Sequence, residues 1–353
     1  VGFAATVQAA GHRIGADHPP FVVAEMSGNH NGDLDRALAI VDAIAASGAQ
    51  ALKIQTYTAD TLTLDVDRPE FRVTDDHGLW GGRTLHQLYE EAHTPWEWHE
   101  PIFARAREQG LVAFSTPFDP TAIELLEECG VALYKTASAE IVDLPLIREI
   151  ARTGKPVLMS TGMATLAEID AAVNAAADGG CTELVLLACT ASYPADPDDA
   201  RLGNIAVLHE AFGVPVGLSD HTLGIGAAVA AVAKGAVCIE KHVTLGRDDG
   251  GVDSAFSLEP AELALLRRET ETAWRASRSG TAFGPTESEQ AVLRLRRSLY
   301  VVEDVRAGDP VTARNVRSVR PAGGLPPAAL ETVLGRRFTR DAERGTPLSW
   351  ELL

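Results

Sequence analysis

The sequence predicts an α/β fold, a (β/α)8 TIM barrel followed by a small β-rich domain, and three observations carry that reading. First, eight short apolar runs recur: Phe21–Ala24, Ala51–Ile54, Leu111–Phe114, Ala132–Tyr134, Pro156–Met159, Glu183–Leu187, Val214–Leu218 and Ala236–Ile239. Helix-period segments lie between nearly all of them, the alternation expected of a parallel barrel. Second, each run ends in polar or ionisable residues, and such barrels gather their functional groups at the carboxyl ends of the strands. Third, the chain of 353 residues is longer than a barrel of ~250 needs. Its character also changes after Gly280.

Residues 1–20 read as a lead-in, a short hairpin ahead of a barrel spanning 21–280. Asp33 caps a helix that runs to Ser47 and ends at Gly48. Thr121–Glu128 and Leu144–Arg152 are short helices, the second closed by Gly154-Lys155-Pro156. Leu166–Ala177 follows the same plan before Gly179-Gly180, and Glu259–Ser277 follows the eighth strand. The interval between the second and third strands is the exception. Its roughly 55 residues exceed a single crossover helix, and Thr56–Arg83, rich in Asp, Gly and Thr, reads as a long loop over the mouth. Its aromatic residues Tyr57, Phe71 and Trp80 pack either on a ligand or on one another. Residues 281–293 read as a polar, partly extended linker. Residues 294–353 read as a turn-rich β-module, with strands at Leu295–Val302 and Val316–Val319 and a Gly/Pro-rich stretch from Pro321 to Pro327.

An apolar content of 46% with 23% charged residues fits a globular protein with a large core. The net charge of −18 argues against nucleic acid and anionic membrane as partners, because both demand basic patches. An anionic small substrate remains open, since a few converging lysines can dominate one mouth. Cys129, Cys181, Cys189 and Cys238 are widely spaced without a C-x-x-C pair, which points to a reducing cytoplasm. No apolar run reaches the ~20 residues of a membrane span, and no signal-peptide pattern is expected at the amino terminus.

His221 and His242 end strands seven and eight, neighbours whose axes lie ~5 Å apart. Two imidazoles at that spacing can share a divalent metal and leave positions open for water or substrate. A single histidine at a strand end serves equally well as a hydrogen-bonded scaffold residue. Glu240 stands two residues before His242 and points to the same side, into the barrel, as orienting group or base, while Lys241 points outward. Lys53 and Lys135 face inward with Thr116, Ser138, Ser160 and Ser219, a set suited to a compact anion bearing phosphate and carboxylate. Internal pairing of these lysines with Glu25 or Glu240 is the alternative. Glu25, followed by the polar turn Ser27 to Gly32, is placed for general acid/base work. Gly250-Gly251 reads as a flexible turn presenting Asp253.

The segments Glu25 to Gly32, Lys53-Ile54-Gln55-Thr56, Ser115-Thr116-Pro117-Phe118, Tyr134-Lys135, Ser160-Thr161-Gly162-Met163, Gly217 to Thr222 and Glu240-Lys241-His242 resemble the sialic acid synthase family. Tyr57 to Thr63, His93 to Glu100, Gly250 to Leu258 and Arg297 to Tyr300 are similar to its pseudaminic acid synthase branch. The resemblance covers essentially the whole chain from residue 21. It implies a barrel with a carboxyl-terminal antifreeze-like (SAF) domain at 294–353. It also implies a domain-swapped homodimer in which Arg320 reaches the sugar in the partner's barrel.

The chemistry implied is a metal-dependent condensation of phosphoenolpyruvate with the open-chain aldehyde of an amino sugar. C–O cleavage then releases phosphate and gives a nonulosonic acid. By position, His221 and His242 would hold the divalent ion, manganese or magnesium. Lys53, Thr116, Lys135, Ser138, Ser160 and Ser219 would hold phosphoenolpyruvate. Glu25, Tyr193, Asp253 and Arg320 would address the sugar or its proton transfers, with Glu25 the favoured acid/base residue and Glu240 second. The branch implies 2,4-diacetamido-2,4,6-trideoxy-L-altrose as acceptor, with an apolar wall from Trp80, Phe71 or Phe256. N-acetylneuraminate or legionaminate synthesis, from N-acetylmannosamine or a related sugar, is the alternative. One position departs: N-acetylneuraminate synthases carry Asn after Cys-Thr, whereas this chain has Ala191, leaving Ser192 or a backbone N–H to replace the amide. A Schiff-base aldolase using Lys135 or Lys241 is a second class, and a non-catalytic binding protein a third. The histidine pair speaks against the former and the complete mouth against the latter.

Overall fold

The computed structural model describes residues 2–73 and 80–353. The chain forms two compact units, Val1–Ser279 and Gly280–Leu353. An antiparallel hairpin of β1 (Val7–Ala9) and β2 (His12–Ile14) leads into the first unit. Eight parallel strands follow: β3 (Phe21–Glu25), β4 (Ala51–Thr56), β5 (Val112–Pro117), β6 (Tyr134–Thr136), β7 (Val157–Ser160), β8 (Leu184–Cys189), β9 (Val216–Asp220) and β10 (Cys238–His242). They close into a barrel, with β10 returning to pair with β3. Helices alternate with the strands: α1 (Leu34–Ser47) follows β3, and α2 (Ala59–Leu62), α3 (Leu85–Ala92) and α4 (His99–Glu108) all lie between β4 and β5. Then come α5 (Pro120–Glu128), α6 (Leu144–Arg152), α7 (Leu166–Asp178), α8 (Asn204–Phe212), α9 (Gly226–Ala233) and α10 (Pro260–Ser277).

The strands read as continuous apolar runs because interior side chains cover one face and helices the other. Every residue of β3, β5, β9 and β10 is buried. Helix ends follow local chemistry. The Asp33 carboxylate accepts from the N–H groups of Asp35 and Arg36, and Gly48 ends α1 at φ 80°. Alternation also turns Lys241 outward, where its ammonium lies 2.8 Å from Asp220 Oδ2 on β9 and donates to the Thr222 carbonyl. This buried pair ties the last two strands together outside the barrel interior.

Two expectations change. Among the described residues the Thr56–Arg83 interval is largely irregular, as a long loop would be, but it carries the short α2 and a 3-10 turn at Pro69–Phe71, and α3 follows it from a Thr84–Gln87 capping box. Residues 74–79 of that interval lie outside the described residues. The polar linker, read as partly extended, instead carries a 3-10 helix at Glu287–Leu295, started by a Thr286–Glu289 capping box. Beyond it, β11 (Ser298–Val301) pairs antiparallel with β12 (Val316–Val319), and α11 (Leu330–Val333) follows. Leu299, Val301, Val311, Val316, Val333, Phe338 and Leu348 form this unit's own core. Among the described residues no helix is long and apolar enough to cross a membrane.

Two buried histidines brace the mouth from outside. His99 at the start of α4 bonds Thr56 Oγ1 at 2.8 Å, and that hydroxyl lies 2.6 Å from Ser115 Oγ. His30 accepts from the Gly32 N–H at 3.1 Å and stacks edgewise on Trp98. Burial pushes both imidazoles down to about 4. The unfolded chain takes up these protons near pH 6.5, whereas the folded chain resists them until about 4. Stability is therefore full above pH 6.5 and falls as pH drops toward 4, by roughly 3 kcal/mol for each histidine. Urea denaturation at steps between pH 7.5 and 4.5 should show that decline, and His99→Asn should remove its own share of the slope. An unchanged slope in the variant would sink the assignment.

Candidate active site

Strand register brings distant residues to one mouth. His242 of β10 pairs in register with Glu25 of β3, and Glu25 with Lys53 of β4. Glu240 of β10 stands opposite Ser219 of β9, and Gln55 of β4 opposite Thr116 of β5. Alternation then turns Glu25, Lys53, Gln55, Thr116, Ser219 and Glu240 into one interior cluster.

Lys53 sits at its centre. Its ammonium lies 3.0 Å from Glu25 Oε2 and 3.4 Å from Glu240 Oε1, with a long 3.4 Å contact to Thr116 Oγ1. The internal pairing weighed from the sequence is thus the observed arrangement for this lysine. Gln55 Nε2 donates to Glu25 Oε1 at 2.9 Å and to Ser27 Oγ at 3.2 Å. The Ser27 hydroxyl in turn donates to Asp253 Oδ2. Ser27 reaches that position in a left-handed turn at φ 47°. A side chain on the next residue, Gly28, would collide with Val252 and with Ala92 of α3, so glycine there permits the close approach.

The two carboxyls differ. Burial pushes Glu25 up, and Lys53 offsets only part of the push. Burial acts on Glu240 too, but Lys53, Lys135 and the Ser219 hydroxyl outweigh it and hold this carboxyl below the usual range. One acid therefore keeps its proton more readily while its neighbour stays ionised, a division that suits an acid and a base.

Lys135 is fully buried and enters no ion pair among the described residues. Its ammonium donates to Ser160 Oγ at 2.6 Å and to the Thr136 carbonyl at 2.7 Å. The Gly162 N–H donates to Ser138 Oγ at 3.1 Å in the next loop. A Cβ at Gly162 would stand 2.6 Å from that hydroxyl, so this turn has no room for a side chain. Burial pulls this amine below the ordinary lysine range, and a buried lysine held by one hydroxyl and one carbonyl, without a carboxylate in contact, suits an anion from outside the protein.

The histidine rings lie 5.4 Å apart, with Tyr193 packed 4.4 Å from His221 and Phe256 5.1 Å from His242. His221 Nδ1 donates to the Thr190 carbonyl at 2.9 Å, so in the neutral ring Nε2 keeps its lone pair. His242 Nδ1 is buried without a hydrogen-bond partner, and Asp253 Oδ2 stands 3.6 Å away. Burial, followed by His221 and Lys53, holds His242 well below its ordinary range, so it is neutral and its lone pair is available. Among the described residues no three His, Cys, Asp or Glu gather into a ready-made cage. This donor set fits a divalent ion held by two imidazoles and completed by water or substrate.

The structure brings Glu25, Lys53, Thr116, Lys135, Ser138, Ser160, Tyr193, Ser219, His221, Glu240, His242 and Asp253 to the barrel's carboxyl-terminal end. Arg320 belongs to the second unit, where it is exposed just beyond β12. At Ala191 the side-chain amide is missing, and the Ser192 hydroxyl is engaged with the Pro194 carbonyl at 3.2 Å. The structure adds Ser27, Gln55 and Cys189, whose thiol lies 4.0 Å from His221 Nδ1. Gln55 was within reach of the sequence, because strand alternation two residues beyond Lys53 points it inward. A cavity of about 550 Å³ opens beside the cluster, lined by Ser27, Gln55, Asp253 and His242 together with Tyr57, Trp80, Tyr89 and Leu88. Of the aromatics expected to wall it, Trp80 lines the cavity; Phe71 is not among its lining residues, and Phe256 packs on His242 and Tyr193.

The chain matches the NeuB family over residues 40–282 and the SAF domain over 296–353. It is 40% identical over 335 residues to the pseudaminic acid synthase of Campylobacter jejuni, covering 94% of this chain and 96% of that one. Identity to the N,N'-diacetyllegionaminic acid synthase of the same organism is 32% over 327 residues, covering 91% and 96%. The solved N-acetylneuraminic acid synthetase of Leptospira borgpetersenii, in complex with citrate, superposes with a TM-score of 0.72 at 32% identity, covering 83% of this chain and 96% of that one. Matching in both domains, and over nearly the full length of its relatives, the chain belongs to the NeuB family of sialic acid synthases.

Proposed function

We propose that the chain is a pseudaminic acid synthase. It condenses phosphoenolpyruvate with the open-chain aldehyde of 2,4-diacetamido-2,4,6-trideoxy-L-altrose and releases phosphate by C–O cleavage. The observation that carries this reading is the buried amine of Lys135, which bonds Ser160 and enters no ion pair among the described residues, beside the Glu25–Lys53–Glu240 cluster. The higher identity to a pseudaminate synthase than to a legionaminate synthase supports the branch.

In this reading Lys135, Ser160, Ser138 and Thr116 bind the phosphate and carboxylate of phosphoenolpyruvate, and Lys53 and Ser219 complete the anion site. Carbon 3 of the enol attacks the aldehyde carbon, and the aldehyde oxygen gains a proton. Glu25, the more readily protonated carboxyl, is placed to give it. Cationic character develops at carbon 2 and water adds there. Glu240, held ionised, accepts the water's proton, and collapse of the adduct expels phosphate. A divalent ion, manganese or magnesium, held by His221 and His242 would supply Lewis-acid polarisation of the aldehyde oxygen. Asp253 and Tyr193 address the sugar from the barrel, and Arg320 reaches it from the partner in a domain-swapped homodimer. Free cysteines suit a reducing cytoplasm as the compartment.

Three outcomes test this. Phosphate should appear from phosphoenolpyruvate with the diacetamido-trideoxy-altrose but not with N-acetylmannosamine, and EDTA should abolish it. Release only with N-acetylmannosamine would overturn the sugar assignment, whereas turnover that survives EDTA and is trapped by borohydride would revive a Schiff-base lysine. His221→Ala and His242→Ala should each weaken manganese binding, read by electron paramagnetic resonance without substrate, by at least ~10-fold; unchanged binding in either removes that residue from the site. Arg320→Ala mixed with Glu25→Gln should regain activity through heterodimers, and none after verified subunit exchange would refute the trans arrangement.

A further inference from the structure

The helix α3 is extra to the eight strand–helix repeats, and its sequence carries an apolar stripe. Leu85, Leu88, Tyr89 and Ala92 stand at i, i+3, i+4 and i+7, so they share one face. Such a stripe normally disappears into a core. Here only Leu88 is buried, and all four residues line the cavity that also contains Asp253 and His242. Ala92 is held against Gly28, which anchors the helix to the turn after β3.

Tyr57 completes this wall. Its side chain is buried, with its ring wedged edgewise between Tyr89 at 5.7 Å and Phe118 at 5.2 Å. It lines the same cavity, and among the described residues its hydroxyl has no hydrogen-bond partner. A buried phenol is a donor that needs an acceptor, and its cavity-facing position leaves that acceptor to the ligand. Trp80 closes the far side of the cavity, with its indole N–H donating to the Val252 carbonyl at 2.7 Å and its ring 5.9 Å from Tyr193. The cavity thus has a polar floor of Ser27, Gln55, Asp253 and His242 and a mixed wall: the α3 stripe and Tyr57 supply its apolar part, and Glu70 and Arg72 also line it.

We propose that α3 and Tyr57 select the acceptor sugar: the Leu85–Leu88–Ala92 stripe receives its methyl terminus, and the Tyr57 hydroxyl donates to the carbonyl of the acetamido group nearest that end. The inference rests on the proposed condensation, which puts the aldehyde end at the polar floor and the opposite end of the carbon chain at the wall. A terminal hydroxyl in place of the methyl hydrogen would lose its water where it meets Leu85 and Leu88.

The experiment compares kcat/KM for 2,4-diacetamido-2,4,6-trideoxy-L-altrose and for its 6-hydroxy counterpart. The unmodified protein should prefer the deoxy sugar by ~10- to 100-fold. Leu85→Ser, at a position only partly buried, should cut that ratio to ~3 or less. Tyr57→Phe keeps the ring packing, and it should raise the acceptor's KM ~10-fold while leaving that of phosphoenolpyruvate within ~2-fold and the melting temperature unchanged. An unchanged selectivity ratio in Leu85→Ser, or an equal rise in both KM values in Tyr57→Phe, would overturn the inference alone. No turnover of either sugar by the unmodified protein would overturn the condensation reading and the inference with it.

Discussion

One buried ammonium organises the mouth of this barrel. Lys53 stands between carboxylates from the strands on either side of the seam, Glu25 on β3 and Glu240 on β10. Taking such charges out of water is costly, and removal of one partner from a buried pair costs ~3–5 kcal/mol. The cluster is tolerable because Gln55, Ser219 and Ser27 satisfy most of the remaining polar atoms. Lys135 enters no ion pair among the described residues, although its charge helps to hold Glu240 down. Its hydrogen bonds go to Ser160 and the Thr136 carbonyl, which leaves no carboxylate among the described residues in contact with it.

The barrel was legible because its signal is local and repeated. Each strand declares itself by a short apolar run, each helix by its cap, and alternation alone puts Glu240 and His242 inside and Lys241 outside. The site was legible to the same depth wherever it sits on a strand: Lys53, Thr116, Ser219 and Glu240 follow from register. Contacts made by loops were not. Ser27 meets Asp253 across 226 residues of sequence, and no spacing rule joins them. The interval after β4 was legible only in part. Its Asp, Gly and Thr content reads as loop, whereas short capping boxes at Thr58 and Thr84 start helices that tertiary contacts complete. The Thr286–Glu289 box was present in the sequence and outweighed by the polar composition around it.

Function divides between scaffold and insertion. Strand ends carry two buried lysines, two unlike carboxyls and a histidine pair. The insertion between β4 and β5 brings α3, Tyr57 and Trp80 beside them, lining one cavity with His242 and Asp253. Chemistry fixed on rigid strands and shape supplied by a crossover can vary independently, as barrels commonly allow.

Closure of β10 on β3 also has a meaning for how the protein is made. Glu25 and Lys53 leave the ribosome roughly 200 residues before Glu240 and His242, an interval of about 10 to 40 s at ordinary elongation rates. Until the last strand emerges, the nascent barrel has an open edge, and Lys53 has only one of its two carboxylates. The cluster around Lys53 is therefore assembled only once β10 has been made, by residues that the growing chain has held apart until then.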